Sequence, residues 1–176
     1  MGQIPEPYFT RSLFADTKLA WIWLPFRFYI GWEWLTAGWE KIFNPVWVGP
    51  KAGVAVNGFL TKALEKTGGA HPDVQGWYAA FIQNVALPND VLFSYLVSFG
   101  EVAVGLGLIL GVLTPLAILF GILMNFNYLL SGTVSTNPVL LLGQIPLLLA
   151  WKVAGWYGLD QFIFSPKAPW RSKNRS

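Results

Sequence analysis

Four apolar runs, each close to the length that crosses a bilayer, constrain this chain more than anything else in it: about Leu19 to Phe43, Val91 to Val112, Pro115 to Leu130 and Pro138 to Tyr157. A spanning helix needs about 20 residues, with about 17 tolerated. In hydrocarbon the backbone finds no water, so segments of this kind bond internally as helices. The expected fold class is all-α: a four-helix transmembrane bundle with a long, partly helical extracytoplasmic loop between its first and second helices.

Charges inside those runs are the next constraint. Arg27 and Glu33 fall in the first run and Glu101 in the second. A charge at mid-membrane costs about 3 to 17 kcal/mol, so such residues face the bundle interior, pair with one another or line a polar cavity. Composition agrees with the bilayer reading. Of 176 residues, 54% are hydrophobic and only 12% charged, against about 25% charged in soluble domains. Ten tryptophans and thirteen phenylalanines suit the aromatic belts at the headgroup level. A net charge of +3 is too small for nucleic-acid binding. It is read as topology control, with no nucleic-acid partner expected.

The absence of cysteine excludes a dithiol relay, a thiolate metal site and c-type haem attachment. The single histidine, His71, excludes bis-histidine haem ligation within the chain. No metal, haem or flavin site is evident, and no cleavable leader either, because the first 18 residues are polar and carry Glu6 and Asp16.

The connections between runs are unequal. A tight turn near Leu113 and Thr114 joins the second to the third, with Thr114 and Asn137 as expected N-caps ahead of Pro115 and Pro138. Pro146 is expected to kink the fourth helix. The insert from Asn44 to Asp90 is too polar to cross. Its two apolar-periodic stretches, Val54 to Leu64 and Trp77 to Leu87, read as interfacial or lid helices lying on the bundle. The side carrying both termini holds Arg11, Lys18, Lys152, Lys167, Arg171, Lys173 and Arg175, the other Lys41, Lys51, Lys62 and Lys66. That bias favours cytoplasmic termini. The expected organisation is a cytoplasmic N-terminal segment over 1–18, a membrane domain over 19–160 with its insert at about 44–90, and a basic cytoplasmic tail over 161–176.

Helical spacing then sorts the polar residues. Arg27, Gly31, Trp34, Gly38 and Lys41 share one face of the first helix, with Glu33, Ala37 and Glu40 beside it. The second helix carries Gly100, Gly107 and Gly111, and next to them Ser94, Ser98, Glu101 and Gly105. The third aligns Gly121, Asn125, Tyr128 and Gly132; the fourth aligns Gln144, Trp151 and Gly155. Small residues let helices approach closely in a membrane. The expected inner set is Arg27, Glu33, Glu101, Asn125 and Gln144, with Arg27 and Glu101 within reach of each other or of a shared ligand. An ion pair that fixes register and a functional site both satisfy that placement.

The series Arg27-Phe-Tyr-Ile-Gly31 with Gly38-Trp-Glu-Lys41, the series Gly100-Glu101, Gly105, Leu108, Gly111, Thr114, then Met124-Asn125 and Gly158-Leu159-Asp160 together resemble the DoxX/DoxD family of four-helix membrane proteins. The long first loop is similar to the DoxD-like branch. That resemblance implies an integral protein of a prokaryotic plasma membrane. It further implies a subunit of thiosulfate:quinone oxidoreductase, of the large-subunit type, which joins two thiosulfates into tetrathionate and passes electrons to quinone. Quinone is the implied cofactor; the lipid bilayer, other membrane protein subunits and a small anionic substrate are the implied partners. The chemistry assigns expected roles. Arg27 or Lys41 supplies a cation for the anion, Glu101 or Glu33 relays a proton, and Trp34, Asn125 and Gln144 line the cofactor site. The competing expectation is a non-catalytic accessory or assembly subunit of a larger electron-transfer complex.

Overall fold

The structure, a computed structural model, describes residues 7–164. The basic stretch Lys167 to Ser176 lies outside the described residues. Among the described residues the chain is all-helical. An exposed helix, α1 (Tyr8–Ala15), passes through a tight turn over Thr17–Ile22 into α2 (Trp23–Ile42). The Asp16 carboxylate caps that turn by accepting from the Lys18 N–H at 2.9 Å. The Trp23 indole N–H donates to Leu13 O at 2.9 Å and its ring stacks on Phe14, holding α1 against the start of α2.

Helix α3 (Val54–Leu64) coincides with the first periodic stretch of the insert. The second stretch behaves differently from expectation. It is not a separate interfacial helix: α4 (Gly76–Phe81) runs through one π-turn (Ile82–Ala86) and a short 3-10 turn (Leu87–Asn89) directly into α5 (Asp90–Leu110). The result is one helical rod over Gly76–Leu110. It is long and apolar enough to cross a membrane, and it is the one helix among the described residues that combines both properties. The insert also has its own core, in which Val56, Leu60 and Ala63 of α3 pack against Val74, Tyr78 and Ile82. Apolar surface on both stretches is buried against the other, which removes the need for lipid contact along either.

Helices α6 (Thr114–Leu130) and α7 (Asn137–Leu149) follow, then a run of turns and α8 (Asp160–Phe164). The long helices pack in antiparallel order, α2 on α5, α5 on α6, α6 on α7 and α7 back on α2. Glycines set the closeness of the α2–α5 seam. A Cβ on Gly38 would sit 2.7 Å from Val102 N, and one on Gly105 2.5 Å from Leu35 N. Both would strike backbone, which cannot rotate aside. Ile30, Trp34, Leu108, Ile118 and Leu147 fill the bundle core.

Three expectations about helix ends are corrected. The fourth helix does not continue to Tyr157. It passes Pro146, stops at Leu149 and gives way to turns, with Val153 N–H on Ala150 O and Trp156 N–H on Val153 O. Proline removes one backbone donor and crowds the preceding turn, which weakens the helix there, and the carbonyls of Ala154 and Tyr157 beyond its end are taken by Arg27. Nor is Thr114 the cap of α6. The cap comes from Asp160, far along the chain, whose carboxylate accepts from Leu113 N–H at 2.7 Å and Thr114 N–H at 3.0 Å. Leu113 adopts φ 49°, a left-handed conformation strained for a branched side chain, and the Asp160 bond holds it there. Asn137 donates to Thr133 O instead of capping α7.

Candidate functional site

Lys41 lies in the last turn of α2, and the glycine at Gly38 brings α5 close enough for its ammonium to reach Glu101. Lys41 Nζ donates to Glu101 Oε2 at 2.7 Å and to Ala37 O at 3.2 Å. The Tyr128 hydroxyl of α6 donates to the other carboxylate oxygen, Oε1, at 2.7 Å. Glu101 is therefore bonded from both sides while its side chain is only 3% exposed; that of Lys41 is 20% exposed. The Trp47 ring sits 5.1 Å from the Lys41 ammonium and adds a cation–π contact. Trp47 is held in turn by its carbonyl, which accepts from Ser94 Oγ at 2.6 Å.

This triad stands in the wall of a cavity of about 1160 Å³. Glu33, Trp34 and Glu40 of α2 line it as well, and Phe59, Tyr78 and Phe81 of the insert cover one end. The lining is mainly apolar, as in ligand pockets generally. The insert is fastened over it by the Tyr78 hydroxyl, which donates to the Asn127 side chain at 3.0 Å, and by Lys66, whose ammonium donates to Gly132 O at 2.7 Å.

Arg27 is elsewhere. It is 1% exposed at the opposite end of the α2 stripe. Its guanidinium donates to Ala154 O at 3.0 Å and Tyr157 O at 3.1 Å. These carbonyls belong to the turns after α7, where helical bonding has stopped. Asp160 supplies the nearby counter-charge. The segment carrying it pairs with the end of α5 through Leu159 N–H on Leu110 O and Asp160 N–H on Gly111 O. Arg27 and Glu101 are therefore not partners. In an antiparallel α2–α5 pair the start of α2 meets the end of α5, so Arg27 meets Gly111 while Lys41 meets Glu101.

Between the two ends lies a third polar group. Asn125 Nδ2 donates to Gln144 Oε1 at 2.6 Å. Asn125 Oδ1, Gln144 Nε2 and the Trp34 indole N–H have no partner, although all are buried. Gln144 Nε2 occupies the space that a Cβ on Gly121 would take, and Trp34 Nε1 lies 3.3 Å from that point.

The chain matches, over residues 22–175, a family model described as "TQO small subunit DoxD". The chain belongs to the DoxD family. No solved structure matches it. The description names the small subunit of thiosulfate:quinone oxidoreductase, which replaces the large-subunit expectation.

Most of the residues that carried the DoxD resemblance gather at two ends of the bundle, with Gly31, Gly105, Leu108 and Asn125 between them. Gly38, Lys41, Gly100 and Glu101 build the triad end. Arg27, Gly111, Thr114 and the run Gly158-Leu159-Asp160 build the other, where Gly158 lets backbone meet backbone: a Cβ there would be 2.7 Å from Gly111 Cα. Of the expected site residues, Glu101, Lys41, Glu33 and Trp34 line the cavity, Asn125 and Gln144 stand behind Trp34, and Arg27 is remote. Both expected anion-binding cations are already engaged, Arg27 with carbonyls and Lys41 with Glu101. Sequence reasoning missed Tyr128 and Asp160 as working side chains. Tyr128 was visible on the α6 stripe, three residues after Asn125. Asp160 was visible only as the end of a family motif, with nothing local to reveal that it caps a helix so far back in the chain.

Proposed function

We propose that this DoxD chain is the quinone-reactive membrane subunit of an oxidoreductase, and that its cavity receives the quinone ring. One observation carries the reading: a buried acid, Glu101, is bonded on one side to a phenol and on the other to an ammonium, in the wall of an apolar cavity. Reduction of a quinone takes two electrons and two protons. Glu101 is placed to pass protons between Tyr128 and Lys41, and the partly exposed ammonium renews them from the insert side. The ring needs an apolar slot, which Trp34, Phe59 and Phe81 offer.

Thiosulfate oxidation releases two electrons as two thiosulfates join through a new S–S bond. A dianion entering this cavity would meet Glu33, Glu40 and Glu101 against the paired Lys41. The anionic reductant is therefore assigned to a partner subunit, which hands electrons to the quinone. In this reading α2, α5, α6 and α7 form a four-helix transmembrane domain over 19–160, with the 1–18 segment and the tail in the cytoplasm and the insert outside. A tag-accessibility assay that finds the C-terminus outside rejects the orientation.

The test is quinone reduction per folded molecule, by the chain with its partner subunit and thiosulfate. Glu101→Gln keeps size and one acceptor oxygen but cannot carry a proton; it should lower the rate about 100-fold or more, with Tyr128→Phe close behind. An undiminished rate in Glu101→Gln rejects the relay. No quinone reduction by the wild-type pair transfers the assignment to an accessory subunit, a role to which the exposed rings of Tyr29, Trp32 and Trp39 on α2 are suited.

A further inference from the structure

The cavity does not end at the triad. From Glu101 it continues down the outside of the α5–α6 seam to Val112 and Leu113. This extension is a gutter. Gly100, Ala103 and Gly107 of α5 form its floor, and Leu116, Phe120 and Leu123 of α6 form its exposed rim. The floor is low because the residues at these positions are small. A Cβ on Gly100 would meet only Met124 Sδ, at 3.5 Å, whereas one on Gly107 would press on Ala117 Cβ at 2.9 Å. The seam is thus closed at its base and open along its outer side. Glu101 and Val112 are separated by about 16 Å of helix rise, and every side chain of α5 and α6 between them that lines the cavity is apolar.

We propose that the gutter holds the hydrocarbon tail of a long-tailed quinone whose ring lies at the Lys41–Glu101–Tyr128 end. The inference rests on the quinone reading above and adds the class of quinone. Two features select this occupant. Polar and apolar parts of one continuous cavity lie at opposite ends, which fits a ligand with one compact polar head and one tail. The head end also carries two carboxylates, of Glu40 and Glu101, against the single ammonium of Lys41, so it excludes a phosphate headgroup and accepts a neutral ring. The rim opens sideways, so the tail enters from the hydrocarbon phase without crossing the insert.

The test compares two probes in nanodiscs of fixed lipid composition: a dimethoxy-methyl benzoquinone bearing a decyl tail, and the same ring with none. Dissociation constants are measured for wild type, Ala103→Trp, Gly100→Leu and a control, Leu142→Trp, on the exposed outer face of α7. Partition of the tail into lipid is the same for every variant and cancels in the comparison. The wild type and control should prefer the decyl probe by the same ratio. Ala103→Trp and Gly100→Leu should each reduce that ratio at least fivefold, by filling the gutter. A ratio unchanged in both rejects the gutter while leaving the ring site standing. A tightly held phospholipid that the decyl probe fails to displace from the wild type also rejects it. Binding of neither probe by the wild type overturns the quinone reading itself, and the tail assignment with it.

Discussion

Arg27 illustrates how a single side chain can be indispensable without touching the chemistry. It sits where α7 has lost its helical bonding, and its planar fork satisfies two carbonyls at once. Lysine keeps the charge but not the fork. Arg27→Lys should therefore destabilise the folded protein by about 1.5–3 kcal/mol, the usual worth of a hydrogen bond to a charged group, read as a lower melting temperature in detergent. Quinone reduction per folded molecule should not change. Reduction that falls while stability holds would return Arg27 to the site. Gly121 makes the complementary case in the middle of the bundle. Gly121→Ala would place a methyl where the Gln144 amide now lies, separating it from Asn125. The amide is the end of a flexible side chain, so the fold should persist, while the buried pair is lost at about 1 kcal/mol; a melting temperature equal to wild type would show that the pair contributes nothing. From sequence, the interior placement of Arg27, Glu101, Asn125 and Gln144 was legible, because charge and amide in hydrocarbon have few alternatives. Which of them touch was not. Partnership depends on the register of α2 against α5, and the insert of unknown shape between them hides that register.

At the scale of the element, the α2–α5 seam depends on glycines that meet backbone, and α3 supplies the contrast. Gly38→Ala and Gly105→Ala should each force the helices apart and lengthen the Lys41–Glu101 pair, lowering both stability and quinone reduction. Gly58 of α3 has nothing within 4 Å of its Cβ position, and its helix would gain from alanine by up to about 1 kcal/mol. Gly58→Ala should raise the melting temperature or leave it unchanged; a loss comparable to Gly38→Ala would show that the seam geometry is not the cause. The bounds of α3 were legible from its periodicity. The continuity of α4 with α5 was not, because a π-turn over Ile82–Ala86 shifts the helical phase and makes one rod look like two segments. The early end of α7 was hidden for a different reason. Residues 150–157 remain apolar enough to pass as helix, and only the distant Arg27 and Asp160 make a non-helical ending tolerable there.

Taken whole, the molecule has two unlike ends. One is tied shut by Arg27, Asp160 and the Gly111–Gly158 contact; the other holds the insert, the triad and the polar head of the cavity. The seal at the first end has a bearing on how such a protein is made. As the ribosome delivers the chain to the membrane, α2 arrives with a guanidinium whose acceptors have not yet been synthesised. The residues that supply them come more than a hundred positions later. In the transmembrane placement proposed for α2, Arg27 must until then shelter in the insertion machinery or beside lipid headgroups, since hydrocarbon offers it no acceptor. The last segment is equally dependent, because its unpaired carbonyls find a donor only when the first helix is already seated. Biogenesis is in this sense circular, and a nascent chain interrupted before Ala154 would present quality-control proteases with an orphan charge in the bilayer.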